Sequence, residues 1–87
     1  MEIEMAKFEE ISYGWNIQFN VNLTPKEVSN CNMEPLEHVG DYSIQLNDNV
    51  ISFNCLFDRG ELRKNETIEE RLNLIQIDIN NLVNSCL

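Results

Sequence analysis

The chain has 87 residues, of which 43% are hydrophobic, and its six basic and fifteen acidic side chains give a net charge of −9. This length predicts one domain over residues 1–87 with a single modest core. The hydrophobic fraction is too high for a disordered tail, and no apolar run approaches the roughly 18 residues that span a membrane. The negative charge repels phosphate and anionic lipid, so we expect no direct nucleic-acid binding and no membrane binding, and it favours a protein partner with a basic surface.

The first ten residues, MEIEMAKFEE, predict a strand with a register slip near residues 7–10. Ile3 and Met5 fit the alternation that follows, although a helical stripe through Met1, Met5 and Phe8 is the alternative. The segment has neither the basic flank nor the apolar core of a signal peptide, so we expect a cytoplasmic protein.

This N-terminal segment is also the most acidic part of the chain. An ordinary solvated face is one interpretation, and a contact surface for a basic partner is the other. The candidate partner-binding residues are Glu2, Glu4, Glu9 and Glu10.

Residues Ile11–Leu23, ISYGWNIQFNVNL, alternate between apolar and small or polar side chains. Such alternation predicts a β-strand with one apolar face, which we expect to pack against a helix. At about 3.3 Å per residue the strand would reach about 43 Å, so we expect it either to bend, at Gly14, or to project at one end. Its other face has no charged side chain to prevent strand pairing, and we expect a partner or a second copy to cover it.

A short helix is predicted to begin at Thr24, because Thr24 suits the N-cap, Pro25 suits the first helical position and Glu27 completes a capping box. The helix ends by about Asn30. The irregular stretch that follows contains the only histidine, His38, which is more typical of an ordinary loop residue than of a catalytic base. Two acidic residues of this loop, Glu34 and Glu37, are further candidates for partner contact.

A β-hairpin is predicted next, from residues 42–46 and 50–57, around the turn Asn47-Asp48-Asn49. Its second strand is the more apolar, and we expect it to be the more buried. Arg59, Arg63 and Lys64 then form the only basic cluster of the chain.

The C-terminal helix is predicted from Thr67, with a second capping box to Glu70, as far as about Ser85. Leu74 and Ile77 lie outside its apolar stripe and predict a second apolar surface, for a partner or for a two-fold dimer. The stripe itself consists of Ile68, Leu72, Ile75, Ile79, Leu82, Val83 and Cys86.

Three cysteines, Cys31, Cys55 and Cys86, occur without paired spacing, so we expect reduced thiols and neither a disulfide nor a metal site. Together with His38 they match a zinc site in number of ligands but not in spacing. The chain contains no phosphate-binding loop, dinucleotide-binding motif, zinc-protease motif or nucleophile elbow. We therefore expect no cofactor and no enzymatic activity.

The elements together predict an α+β fold, in which a small antiparallel sheet of three or four strands has a long C-terminal helix packed on one face, in two layers. In size, acidity and lack of catalytic motifs, though in no specific motif, the chain resembles the small inhibitors of phages and mobile elements, including anti-CRISPR and anti-restriction proteins. This resemblance implies an inhibitor of a larger basic or nucleic-acid-binding protein. The alternatives are a toxin-neutralising immunity protein, a self-associating structural or assembly subunit, and an acidic housekeeping domain.

Overall fold

The computed structural model describes all 87 residues and contains one four-stranded antiparallel sheet with a long helix across one face. The strand order is β1-β2-β4-β3, so β1 and β3 form the two edges. The predicted α+β fold, with its C-terminal helix on the sheet, is confirmed. The elements are β1 (Glu2–Ile11), β2 (Gly14–Asn22), α1 (Pro25–Asn30), β3 (Ser43–Asn47), β4 (Val50–Asp58) and α2 (Ile68–Asn84), with 3₁₀ turns at Glu34–Leu36 and Arg59–Glu61.

The core lies between α2 and the two central strands. Thirteen apolar residues are buried there, and no polar or charged residue is buried. Apolar side chains from alternate positions of β2 and β4 form one wall, and the predicted stripe of α2 forms the other. The members are Trp15, Ile17, Phe19, Val21, Leu23, Leu36, Ile51, Phe53, Phe57, Ile75, Ile79, Val83 and Cys86.

The long strand predicted over Ile11–Leu23 is wrong, because the chain reverses at Ser12 and Tyr13. Ile11 pairs with Gly14 across this two-residue loop, so β1 and β2 form a hairpin. The sequence alternates without interruption through the turn, which is why the pattern did not reveal it, but Ile11 shares the face of Gly14 and lies on the opposite face from Trp15. From Trp15 onward the predicted apolar face is correct, since its residues are buried against α2.

The predicted N-terminal strand is confirmed, with its irregularity one position earlier than expected. Met5 pairs with Phe19 and Lys7 pairs with Gln18, which leaves Ala6 as the extra residue of a β-bulge.

The short helix α1 begins as predicted. The Glu27 N–H donates to Thr24 Oγ1 at 3.2 Å, and the Thr24 N–H donates to Glu27 Oε1 at 2.9 Å, which completes the capping box. The loop after α1 reaches back to the core through Leu36, which is buried.

The second hairpin has the two-residue loop Asp48 and Asn49, and Asp48 adopts a φ of 54°. As predicted, β4 is more buried than β3, because β4 is central and β3 is an edge. Helix α2 starts at the predicted N-cap, where the Glu70 N–H donates to Thr67 Oγ1 at 3.2 Å. The reciprocal contact from the Glu70 carboxylate is absent, so only half of the predicted capping box forms.

Candidate protein-binding site

Strand β1 has two chemically different faces, which its pairing with β2 defines. Glu2, Glu4 and Glu9 pair with Asn22, Asn20 and Asn16, so they lie on the outer face of the sheet, away from α2. All three glutamates are exposed. Three of the predicted partner-binding residues are therefore brought together on one strand and one face.

Glu10 belongs to the opposite face, because it pairs with Trp15, whose side chain is in the core. Its carboxylate accepts a hydrogen bond from the Arg59 guanidinium, which lies 5.0 Å from the centre of the Trp15 ring. The charge of Glu10 is therefore already paired, whereas the other glutamates of β1 form no ion pair.

The remaining acidic candidates, Glu34 and Glu37, lie at the 3₁₀ turn after α1 and are exposed. They belong to a different element from the acidic face of β1, and neither forms an ion pair.

Leu74 and Ile77 lie on the solvent side of α2, with 47% and 58% of their surfaces exposed, as the sequence predicted. They line different grooves. Leu74 lines a groove of about 590 Å³ against β4, together with Cys55 and Leu56, whereas Ile77 lines one of about 550 Å³ against Ile3. The two residues flank the exposed ridge of the helix and do not share one pocket.

On the outer face of the sheet, β2 carries only glycine and uncharged carboxamide side chains. Asn20 Oδ1 accepts hydrogen bonds from Gln18 Nε2 at 3.1 Å and from Ser52 Oγ at 3.0 Å, and Asn22 Nδ2 donates to Glu4 Oε1 at 3.4 Å. The first of these hydrogen bonds lies within β2, and the other two link β2 to β4 and to β1. β2 has no free edge for further strand pairing, because it is central and both of its edges are already paired, whereas coverage of its outer face by a partner or a second copy stays a prediction.

Two apolar residues that sequence reasoning did not assign to a site, Met5 and Phe8, are 49% and 42% exposed. They pair with Phe19 and Ile17, so they face the α2 side of the sheet, where Met5 lines a groove against α2. The bulge at Ala6 places both on that face, because one extra residue shifts the alternation from odd to even positions. The step from Ile3 and Met5 to Phe8 was the sequence signal for this arrangement.

The histidine, the cysteines and the carboxylates do not cluster into a metal-binding or catalytic site. No three His, Cys, Asp or Glu side chains are placed to hold a metal ion. The three cysteines are free, and burial raises the pKa of the thiols of Cys55 and Cys86, which keeps them protonated and weakly nucleophilic near neutral pH. In the groove beside Leu74, the Tyr42 hydroxyl donates to Asp78 Oδ2 at 2.7 Å, and burial together with this hydrogen bond raises the pKa of Tyr42.

Comparison of the chain with protein-family models, with curated proteins and with solved structures found no match. None of the helices combines the length and the apolar character that crossing a membrane requires.

Proposed function

We propose that this protein is a non-enzymatic binding module, whose acidic surface occupies a basic site on a larger protein and inhibits it. The proposal is supported by the large number of acidic side chains that form no ion pair. Of fifteen acidic side chains, only Glu10, Glu27 and Glu66 are in ion pairs. The other carboxylates leave a field that attracts basic surfaces, which include the nucleic-acid-binding sites of other proteins, and accelerates association with them.

This chemistry suits an inhibitor of the phage or mobile-element type, such as an anti-CRISPR or anti-restriction protein acting in the cytoplasm. A toxin-neutralising immunity protein would use the same acidic surface. The second candidate function is a self-associating structural or assembly subunit, which the exposure of Leu74 and Ile77 favours. An acidic housekeeping domain, in which the charge provides only solubility, is the remaining alternative.

The test begins with capture of partners from cells that produce the protein, followed by measurement of association and dissociation rates with the purified partner. We expect the association rate to fall as the Debye length decreases from about 10 Å at 0.1 M salt to about 3 Å at 1 M. Replacing Glu2, Glu4 and Glu9 by glutamine should slow association more than it changes dissociation. Glu10 is left in place, because its loss would also break the ion pair with Arg59.

The matched control replaces Asp41 by asparagine and Glu61 and Glu70 by glutamine, which removes the same charge from exposed positions outside β1. An association rate that is unchanged by salt and by both sets of substitutions would contradict the proposal and leave solubility as the role of the charge.

A further inference from the structure

The sheet has two free edges, and they differ in length and charge. β1 has ten residues, of which Glu2, Glu4, Glu9 and Glu10 are acidic, whereas β3 has five residues and no charged side chain. The outer edge of β1 has no strand partner, so its outward N–H and C=O groups are free to pair with an added strand. β1 is therefore the longer and more strongly charged of the two edges at which a strand can be added.

The bulge at Ala6 divides this edge into two halves. In the half Glu2–Met5, the outer face carries Glu2 and Glu4, and the face toward α2 carries Ile3 and Met5. The half Lys7–Ile11 is less suited to a basic segment, because Lys7 lies on its outer face. Its end is also occupied, since Arg59 Nη1 donates to the carbonyls of Ile11 at 3.2 Å and Ser12 at 2.9 Å. Glu2–Met5 is therefore the part of β1 that combines unpaired acidic side chains with an unobstructed backbone edge.

A trough runs between β1 and α2 beside this half. It consists of the groove of about 550 Å³ beside Ile77 and a second groove of about 260 Å³, which share Asn73 and Gln76 in their walls. Ile3 and Met5 line its β1 side, and Met5 is about half exposed there. A strand added about 4.8 Å beyond β1 would place alternate side chains over this apolar surface.

We infer that Glu2–Met5 accepts an extended basic segment of the partner protein as a fifth strand of the sheet. The segment alternates lysine or arginine with apolar residues. Its basic side chains lie beside Glu2 and Glu4 on the outer face, and its apolar side chains lie beside Ile3 and Met5 over the trough. Backbone hydrogen bonds provide affinity in this mode, and the alternating side chains provide specificity. The inference rests on the proposed function and specifies the partner's chemistry and its docking site.

A second copy of the chain does not fit this edge. Pairing two β1 strands would bring glutamates of one copy beside those of the other on the outer face, and like charges opposite one another destabilise a strand pair. Each copy also has a net charge of −9. The same charge that opposes self-pairing favours a basic segment.

The experiment measures binding of two eight-residue peptides to the full chain by fluorescence anisotropy. In one peptide lysine alternates with valine, and in the other the same residues form a lysine block followed by a valine block. Both have the same charge and composition, but only the first places lysine on one face of a strand and valine on the other. We expect the alternating peptide to bind at least about tenfold more tightly.

Two variants locate the site without disturbing the core. Glu2→Gln plus Glu4→Gln should weaken binding of the alternating peptide about tenfold, as expected for two cross-strand ion pairs. Glu61→Gln plus Glu70→Gln removes the same charge from exposed positions outside β1 and the trough and should change binding less than about twofold. Amide hydrogen exchange followed by NMR should slow in Glu2–Met5 when the alternating peptide is bound.

Equal binding of the two peptides would overturn strand addition while leaving the acidic-surface function intact, because charge alone would then explain binding. Slowed exchange in β3 in place of β1, equal effects of the two variants, or no binding of the alternating peptide would also overturn it. The proposed function is contradicted separately, by salt-independent association with the captured partner.

Discussion

Arg59 connects the end of the first hairpin to the end of β4. Its guanidinium donates to the backbone carbonyls of Ile11 and Ser12, forms the ion pair with Glu10 and lies over the Trp15 ring, while its own N–H donates to the Tyr13 carbonyl at 3.0 Å. An exposed ion pair alone contributes little to stability. The main consequence is electrostatic, because Arg59 neutralises Glu10 and leaves the unpaired charge of β1 on the outer face.

Phe19 and Tyr13 occupy equivalent positions in the alternating pattern but have different surroundings, since Phe19 is 3% exposed and Tyr13 is 51% exposed. Phe19→Ala should lower the free energy of unfolding by about 3–5 kcal/mol, because it leaves a cavity in the core. Tyr13→Ala should change it by less than about 0.5 kcal/mol. Urea unfolding followed by the fluorescence of Trp15, the only tryptophan, measures both. Similar losses in the two variants would contradict the placement of the turn.

Among the elements, the contact between β2 and β4 sets the geometry of the sheet. The two strands pair without interruption from Gly14 and Asp58 to Asn22 and Val50, and together they provide most of the sheet's contribution to the core. At Gly14 the strands leave no room for a side chain. A Cβ atom there would overlap the Phe57 carbonyl oxygen and would lie 2.9 Å from the Phe57 carbonyl carbon. The glycine is required by close backbone approach at the start of β2.

Gly14→Ala should therefore destabilise the protein, because the obstructing atoms belong to the backbone of β4 and a side-chain rotation does not relieve the overlap. We expect a loss of at least about 1–3 kcal/mol, which corresponds to a melting temperature lower by roughly 4–8 °C for each kcal/mol. Gly40→Ala is the matched control, since no atom lies within 4 Å of its added Cβ. Thermal unfolding followed by circular dichroism measures both, and equal melting temperatures for the two variants would contradict this packing.

On the scale of the whole molecule, the fold is elongated and its charge is predominantly negative. Its extents are 41 × 19 × 19 Å, and the single helix α2 covers the central strands but leaves Met5 and Phe8 of β1 exposed. The net charge of −9 opposes association between copies at low salt, whereas it promotes association with a basic protein. The two candidate functions therefore respond to salt in opposite directions.

Self-association through Leu74 and Ile77 predicts a dimer mass in sedimentation equilibrium at micromolar concentration, with more dimer at 1 M than at 0.1 M salt, because screening reduces the repulsion between copies. Leu74→Glu plus Ile77→Glu should restore the monomer mass. Asn81→Glu plus Asn84→Glu adds the same charge with the same spacing on α2 and should leave the dimer intact. A monomer mass for the unsubstituted chain at both salt concentrations would contradict self-association and would leave the binding-module proposal unaffected.

Local sequence determined the elements whose signals are themselves local. The capping box from Thr24 to Glu27 and the N-cap at Thr67 fixed the helix starts, because a side chain three residues away satisfies the first free N–H groups. The period of apolar residues likewise identified β4, the second half of the long alternating segment and the buried face of α2. The exposure of the candidate residues on β1 and α2 also followed from these patterns.

Only the tertiary structure decided where the chain reverses, which strands are edges and which charges remain free. Apolar and polar residues alternate in the sequence from Ile11 to Leu23, so this pattern did not reveal that the chain reverses and places Ile11 and Trp15 on opposite faces of the sheet. Edge position depends on pairing between segments far apart in the chain, and this pairing left β1 free and made β2 central. The ion pair of Glu10 with Arg59 joins residues 49 positions apart, so no local pattern separates Glu10 from Glu9.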